Sequence, residues 1–167
     1  FTLLVGAENQ PRNLAAAVIQ EDLAKLGVKM QVAPIESKDL TARWSTSFDY
    51  DAIFLGFATS DMEPSSMAAF IESSGAMHQW APMQKQPATE WETRLDNLFD
   101  EQSAEADPAK RKADFDEIQK IMADEMPVIP VVTRHIVSAA NIRVGNIAPS
   151  PLLPYSLWNV DELFVTK

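Results

Sequence analysis

Residues 1–33 read FTLLVGAENQPRNLAAAVIQEDLAKLGVKMQVA. Phe1-Thr2-Leu3-Leu4-Val5 is a short apolar run of strand type, and a polar loop from Gly6 to Arg12 follows it. Asn13 is suited to cap a helix over about 14–26. Ala15, Val18, Ile19, Leu23 and Leu26 recur at helical spacing, and Glu21 and Lys25 stand one turn apart. Gly27 fits the left-handed position just past a helix end. Val28, Met30 and Val32 then alternate with Lys29, Gln31 and Ala33, which is the period of a strand. Strand, helix and strand with tight joints predict a βαβ unit, and therefore parallel pairing with a right-handed crossover.

The pattern continues downstream. Ser37 can cap a short helix over about 38–45, with Leu40 and Trp44 on one face. Tyr50 to Phe57 follows, and its continuous apolar run 52–55 reads as a strand buried on both faces in the middle of a sheet. The run ends at Gly56 and opens into the polar loop 58–64. Ligands of open α/β sheets sit outside the carboxyl ends of such strands, so this loop is the first candidate site. A short helix is expected near Ser66–Ile71, and two long ones after it. The first, about 88–105, carries Trp91, Leu95, Leu98 and Phe99; the second opens on Asp107-Pro108 and carries Phe115, Ile118, Ile121 and Met122. Lys110-Arg111-Lys112 stands near the second helix's start, where cations oppose its dipole. Met126-Pro127-Val128-Ile129-Pro130-Val131 reads as an extended edge or crossover segment, because each proline removes a ladder donor.

The chain has 167 residues, 14 Lys+Arg against 24 Asp+Glu, and no cysteine. A net charge of -10 speaks against a nucleic-acid partner, since phosphate backbones are held by concentrated Lys and Arg. Absence of cysteine removes disulfides, thiolate metal sites and cysteine nucleophiles together. Twelve acids fall between residues 90 and 125, a solvated outer face on a helical hairpin. There is no Gly-x-Ser-x-Gly elbow and no phosphate-binding glycine pattern. Two alternatives stay open at this level. His78 or His135 with a nearby acid is compatible with a small stand-alone hydrolase, and Met62, Met67, Met77, His78 and Met83 with a soft-metal module. Asp61 and Ser60 in the polar loop can meet ammonium or hydroxyl groups of a ligand, and Phe57, Trp44, Trp80 and Trp158 can wall a pocket.

Several segments, taken in order, resemble the second lobe of the family 5 extracellular solute-binding proteins, the peptide and nickel receptors of ABC importers. Ala15–Leu26 with Gly27-Val28-Lys29-Met30 is similar to that family's helix ending in LGV-K-V. Phe48-Asp49-Tyr50-Asp51-Ala52, Gly56-Phe57 and Glu63-Pro64 resemble YDA…GW…DP. Asp107-Pro108 with Arg111 resembles the start of the family's long helix, which here reaches Gln119-Lys120-Ile121 and then Met126-Pro127-Val128-Ile129-Pro130. Val144-Gly145 stands for a closing V-x-G shortened by one residue. The ordered set spans roughly residues 10–145.

The resemblance implies an α/β fold with a mixed, largely parallel sheet flanked by helices, one lobe of a type II, cluster C periplasmic-binding-protein-like receptor. Residues 1–167 would be a single C-terminal ligand-binding lobe, with 127–167 holding the crossover side and a loop-rich end. A non-catalytic, cofactor-free receptor is implied, periplasmic or extracellular, with or without a lipid anchor. Its partners would be a peptide or other small polar ligand, the N-terminal lobe of the same protein, and a membrane permease. The ligand would be gripped by Phe57 at the tryptophan position of GW, by Ser60 at the family's aspartate position, by Asp61, Trp80 and Arg134. The arginine some oligopeptide receptors place three residues before that tryptophan is Phe54 here.

Overall fold

A computed structural model describes residues 1–57, 63–133, 135, 137–150 and 154–166. It divides into two compact units, Phe1–Phe57 and Ala58–Lys167.

In the first unit, β1 (Thr2–Gly6), β2 (Gln31–Ile35) and β3 (Ala52–Ile53) form a parallel sheet in the order β2-β1-β3. Leu3 faces Val32 on one side and Ala52 on the other. Successive residues Leu3, Leu4 and Val5 are all buried, so both faces of β1 are covered. The middle of this sheet is therefore β1, and β3 is an edge strand of half-buried residues, which reverses the placing expected from the 52–55 run. β2 carries Pro34 and tolerates its missing donor because it too is an edge.

The crossover helix α1 (Gln10–Lys25) begins four residues earlier than the sequence suggests. Asn9 is its cap, accepting from the Arg12 amide at 3.1 Å, and Pro11 occupies the first turn where its missing N–H costs nothing. Asn13 instead donates to the Gly6 and Asn9 carbonyls at 2.9 and 2.8 Å, tying the helix to the end of β1. Ala16, Ile19 and Leu23 pack with Leu3, Met30 and Val32, while Val18 and Leu26 are exposed. The inward stripe is thus narrower than the apolar spacing implied. Lys25 pairs with Asp22 rather than Glu21. The helix ends in a Schellman motif: Val28 N–H donates to the Leu23 carbonyl and Gly27 N–H to that of Ala24, with Gly27 at φ +79°. Then α2 (Ser37–Ala42) buries Leu40 and runs into a π-helical turn, Arg43–Ser47, closed by Phe48 in the left-handed region.

In the second unit, a 3-10 turn (Pro64–Met67) leads into α3 (Ala68–Ile71), followed by α4 (Glu90–Ala104) and α5 (Pro108–Glu125). Phe70, Ile71, Leu95, Leu98, Phe99 and Ile118 form the core, as the helical spacing predicts. Asp107 caps α5 by accepting from Ala109 N–H at 2.9 Å. The cations near that cap each find an acid: Lys110 pairs with Glu105, Arg111 with Glu63 and Lys112 with Asp116. These ion pairs account for a basic run that the helix dipole alone disfavours. Among the described residues, the segment between α5 and β4 forms no strand; β4 (Val144–Gly145) pairs antiparallel with β5 (Phe164–Val165). Among the described residues, no helix is long and apolar enough to cross a membrane.

Candidate functional site at the carboxyl edge of the sheet

Three parallel strands in the first unit end on one side, where β1 gives way at Gly6 and β3 at Phe54–Phe57. The ladder continues briefly past β3, with Phe54 N–H donating to the Leu4 carbonyl at 2.8 Å. This holds the exit of β3 against the end of β1. Phe57 is 48% exposed, and Trp44 from the π-helical turn meets it edge-on with ring centroids 6.4 Å apart. The pair forms an apolar surface at the strand ends. Arg12, from the first turn of α1, lies against the Gly56 backbone: a methyl group added at Gly56 would sit 3.2 Å from Arg12 Cζ and collide with Nη2. Glu8, in the β1–α1 connection, accepts from Ser37 Oγ at 2.7 Å and Ser37 N–H at 3.3 Å. The Ser37 hydroxyl, helped by backbone donors, holds the Glu8 carboxyl below the usual range. That carboxylate secures the start of α2. The strand ends thus carry an aromatic pair, with the Arg12 guanidinium against the neighbouring Gly56.

Of the residues expected to grip a ligand, Phe57 stands on this edge. Ser60, Asp61 and Arg134 lie outside the described residues. Trp80 belongs to the second unit, half-buried among Phe70, His78 and Trp91, with centroids 5.9, 3.9 and 6.1 Å away. Its indole N–H donates to Glu92 Oε1 at 3.1 Å. Its observed partners are therefore those of a core residue. Arg12 was passed over in the sequence because it sits in a polar loop. The signal for it is its place at the start of the crossover helix that follows β1, whose first turn holds it.

Among the described residues of the second unit, Glu92 is the best-connected buried polar group. Oε2 accepts from the Ala88 and Thr89 amides at 2.8 and 3.0 Å, from Thr89 Oγ1 at 3.1 Å and from Gln84 Nε2 at 3.2 Å. Burial pushes its carboxyl up, but these donors and Trp80 together outweigh it and hold the group below its ordinary value. His78 is 2% exposed, with Nε2 3.8 Å from Glu92 Oε1, and among the described residues neither ring nitrogen meets a partner in full hydrogen-bond geometry. Desolvation lowers the pKa of this imidazole against the pull of Glu92 and Asp96. Sealed in this way, His78 is closed to a substrate; His135 is exposed. Met67 and Met77 pack on the apolar core, Met83 is exposed, and Met62 lies outside the described residues. No group of three or more His, Asp or Glu is placed to hold a metal ion among the described residues.

No family model matches the chain. It is 31% identical over 155 residues to a probable ABC transporter-binding protein of Deinococcus radiodurans, covering 86% of this chain and 26% of that protein. It is 27% identical over 137 residues to the probable ABC transporter periplasmic-binding protein SapA of Escherichia coli, covering 81% of this chain and 24% of SapA. In fold it matches the crystal structure of a putative peptide binding protein, AppA, from Clostridium difficile, with a TM-score of 0.77 and 21% identity over 99% of this chain and 33% of that one. The chain spans about a quarter of the length of the curated relatives it matches. The fold is α/β of the type II binding-protein kind, with a parallel sheet and flanking helices. In sequence, then, the chain is similar to ABC transporter-binding proteins and in fold to peptide-binding proteins, and it spans a quarter to a third of their length.

Proposed function

We propose that the chain is the C-terminal ligand-binding lobe of a periplasmic or extracellular receptor that delivers a peptide or similar small polar solute to an ABC permease. The observation that carries this reading is the fold match over 99% of the chain to a peptide-binding protein. Its exposed aromatic edge, Phe57 with Trp44, lies at the carboxyl ends of parallel strands, where ligands of such sheets bind. Ser60 and Asp61 follow that edge directly in sequence and are proposed as its polar contacts.

A second observation supports a lobe within a larger body. Ile129, Val132, Val137 and Ile142 are 78–99% exposed, and Phe164 and Val165 more than half exposed. Exposed apolar side chains of this kind are proposed as surface that another part of the receptor covers. The receptor works without covalent chemistry: ligand binding favours the closed arrangement of two lobes, and the closed form is what a permease reads.

The test is direct. Full-length receptor is incubated with a tripeptide pool and, separately, with a pool of mono- and disaccharides, and retained ligand is identified by mass spectrometry after desalting. Retention of peptides, abolished by Phe57→Asp, is the expected result. Retention of neither pool, or of saccharides alone, would refute the peptide-receptor assignment.

A further inference from the structure

We propose that Arg111 is a positioning residue for the polar contacts of the ligand: through Glu63 it fixes the point from which Ser60 and Asp61 extend, which deepens the receptor reading and rests on it. Glu63, Ser65, Gln102 and Arg111 close a ring of hydrogen bonds between one short segment and two helices. Arg111 Nη2, on α5, donates to Glu63 Oε1 and, at 3.2 Å, to Gln102 Oε1 on α4. Gln102 Nε2 donates to Ser65 Oγ at 2.9 Å, and that hydroxyl donates in turn to the same Glu63 oxygen at 2.9 Å. Ser65 and Gln102 are 37 positions apart in the chain, and Glu63 and Arg111 48. Gln102 is fully buried, where an unpaired amide is costly, so its bonds fix where Ser65 and Arg111 meet.

Helix stability does not account for this ring. A cation near the start of α5 opposes the dipole, and Asp107 already caps that helix. The Glu63 side chain is half exposed, and ion pairs open to water add little to stability. What the ring supplies is a fixed place. Glu63 Oε1 also accepts from Ser65 N–H at 3.3 Å, and the Glu63 carbonyl accepts from the Ser66 hydroxyl at 2.9 Å and its amide at 3.2 Å, so carboxylate and backbone are both held. Arg111, helped by Ser65, keeps the Glu63 carboxyl below its usual range and therefore charged at neutral pH. The two N–H bonds of one planar guanidinium nitrogen point in fixed directions, at a carboxylate and at an amide oxygen, which a flexible ammonium does not reproduce. Ser60 and Asp61 precede Glu63 by three and two residues. A chain advances at most about 3.6 Å per residue, so the place of Glu63 limits theirs.

The experiment uses full-length receptor and the tripeptide pool, with affinity read by equilibrium dialysis and mass spectrometry, and folding by thermal melting. Arg111→Ala is expected to weaken peptide binding by about 3- to 30-fold, the range for residues that act on a site through another, with the melting temperature nearly unchanged. Glu63→Ala gives a loss of the same size, and the double variant loses no more than either alone, because both break one tie. Arg111→Lys, which keeps the charge but not the fork, restores part of the affinity and stays readable if the alanine variant fails to fold. Lys120→Ala removes another ion pair of α5, with Asp124, and leaves binding as in wild type. Additive losses in the double variant, an equal loss from Lys120→Ala, or Arg111→Ala that binds like wild type overturns the positioning role and leaves the receptor reading standing. Loss of affinity that only follows a fall in melting temperature across these variants overturns it as well. Wild type that retains no peptide removes the receptor reading, and this inference with it.

Discussion

Replacing Glu92 with glutamine tests whether the second unit is organised by a buried anion. The side chain is 3% exposed and its two oxygens accept from five donors between 2.8 and 3.2 Å. Glutamine keeps the shape but supplies one oxygen only. If its NH2 takes the place of Oε2, four donors face a donor; if it takes the place of Oε1, the Trp80 indole does. At least one buried donor is therefore orphaned and the charge assistance is lost, which costs about 2 kcal/mol. Glu92→Ala also removes half of the Thr89 capping box and opens a void, for a loss of about 3–4 kcal/mol. At this chain length each kcal/mol lowers the melting temperature by about 2–4 °C.

Urea unfolding followed by tryptophan fluorescence reads both variants, because Trp80 and Trp91 sit in the cluster. The pH dependence supplies an independent check. The folded carboxyl is held below its ordinary value near 4.5, so the stabilisation is present above that value and is lost as pH falls through the lower folded one. The gap between wild type and Glu92→Gln should be widest near pH 7 and close on acidification. A glutamine variant within about 0.5 kcal/mol of wild type, below the range expected for an orphaned buried donor, would refute the reasoning.

Two further outcomes are expected. The His78 imidazole is lowered by burial, so protonation favours unfolding; stability is full above about pH 6.5 and falls as the solution is acidified, by at most about 1.4 kcal/mol per pH unit for this one proton. His78→Phe should flatten the stability profile between pH 7 and 5, and an unchanged slope would show that the ring is not the titrating group. Gly27→Ala should cost about 1 kcal/mol through backbone strain alone, since φ is +79° and nothing lies within 4 Å of the added methyl. Gly27→Asn should recover part of that loss in the same thermal melt, and an alanine variant as stable as wild type would contradict it.

Legibility followed the range of the interactions involved. The βαβ start, the Gly27 stop, the Asp107-Pro108 opening of α5 and the core stripe of Leu95, Leu98 and Phe99 rest on periodicity or on contacts a few residues apart, and all could be read along the chain. Where α1 begins could not, because Asn9 and Asn13 are both good caps; the choice fell to Asn9 once Asn13 was drawn to the Gly6 carbonyl at the end of a neighbouring strand. Nor could the sheet order. The run 52–55 is as apolar as any central strand, yet β1 took the middle because partners 29 and 49 residues away close on both its sides. The site divided in the same way. Phe57 was visible as the aromatic after a strand and a glycine, whereas Trp80 proved to be tied by its indole to Glu92, and Arg12 drew notice only when its guanidinium was found on Gly56. Composition and local pattern determine which elements form. Which strand is central, which caps win and which charges pair depend on contacts between distant segments, and those exist only after the chain has closed on itself.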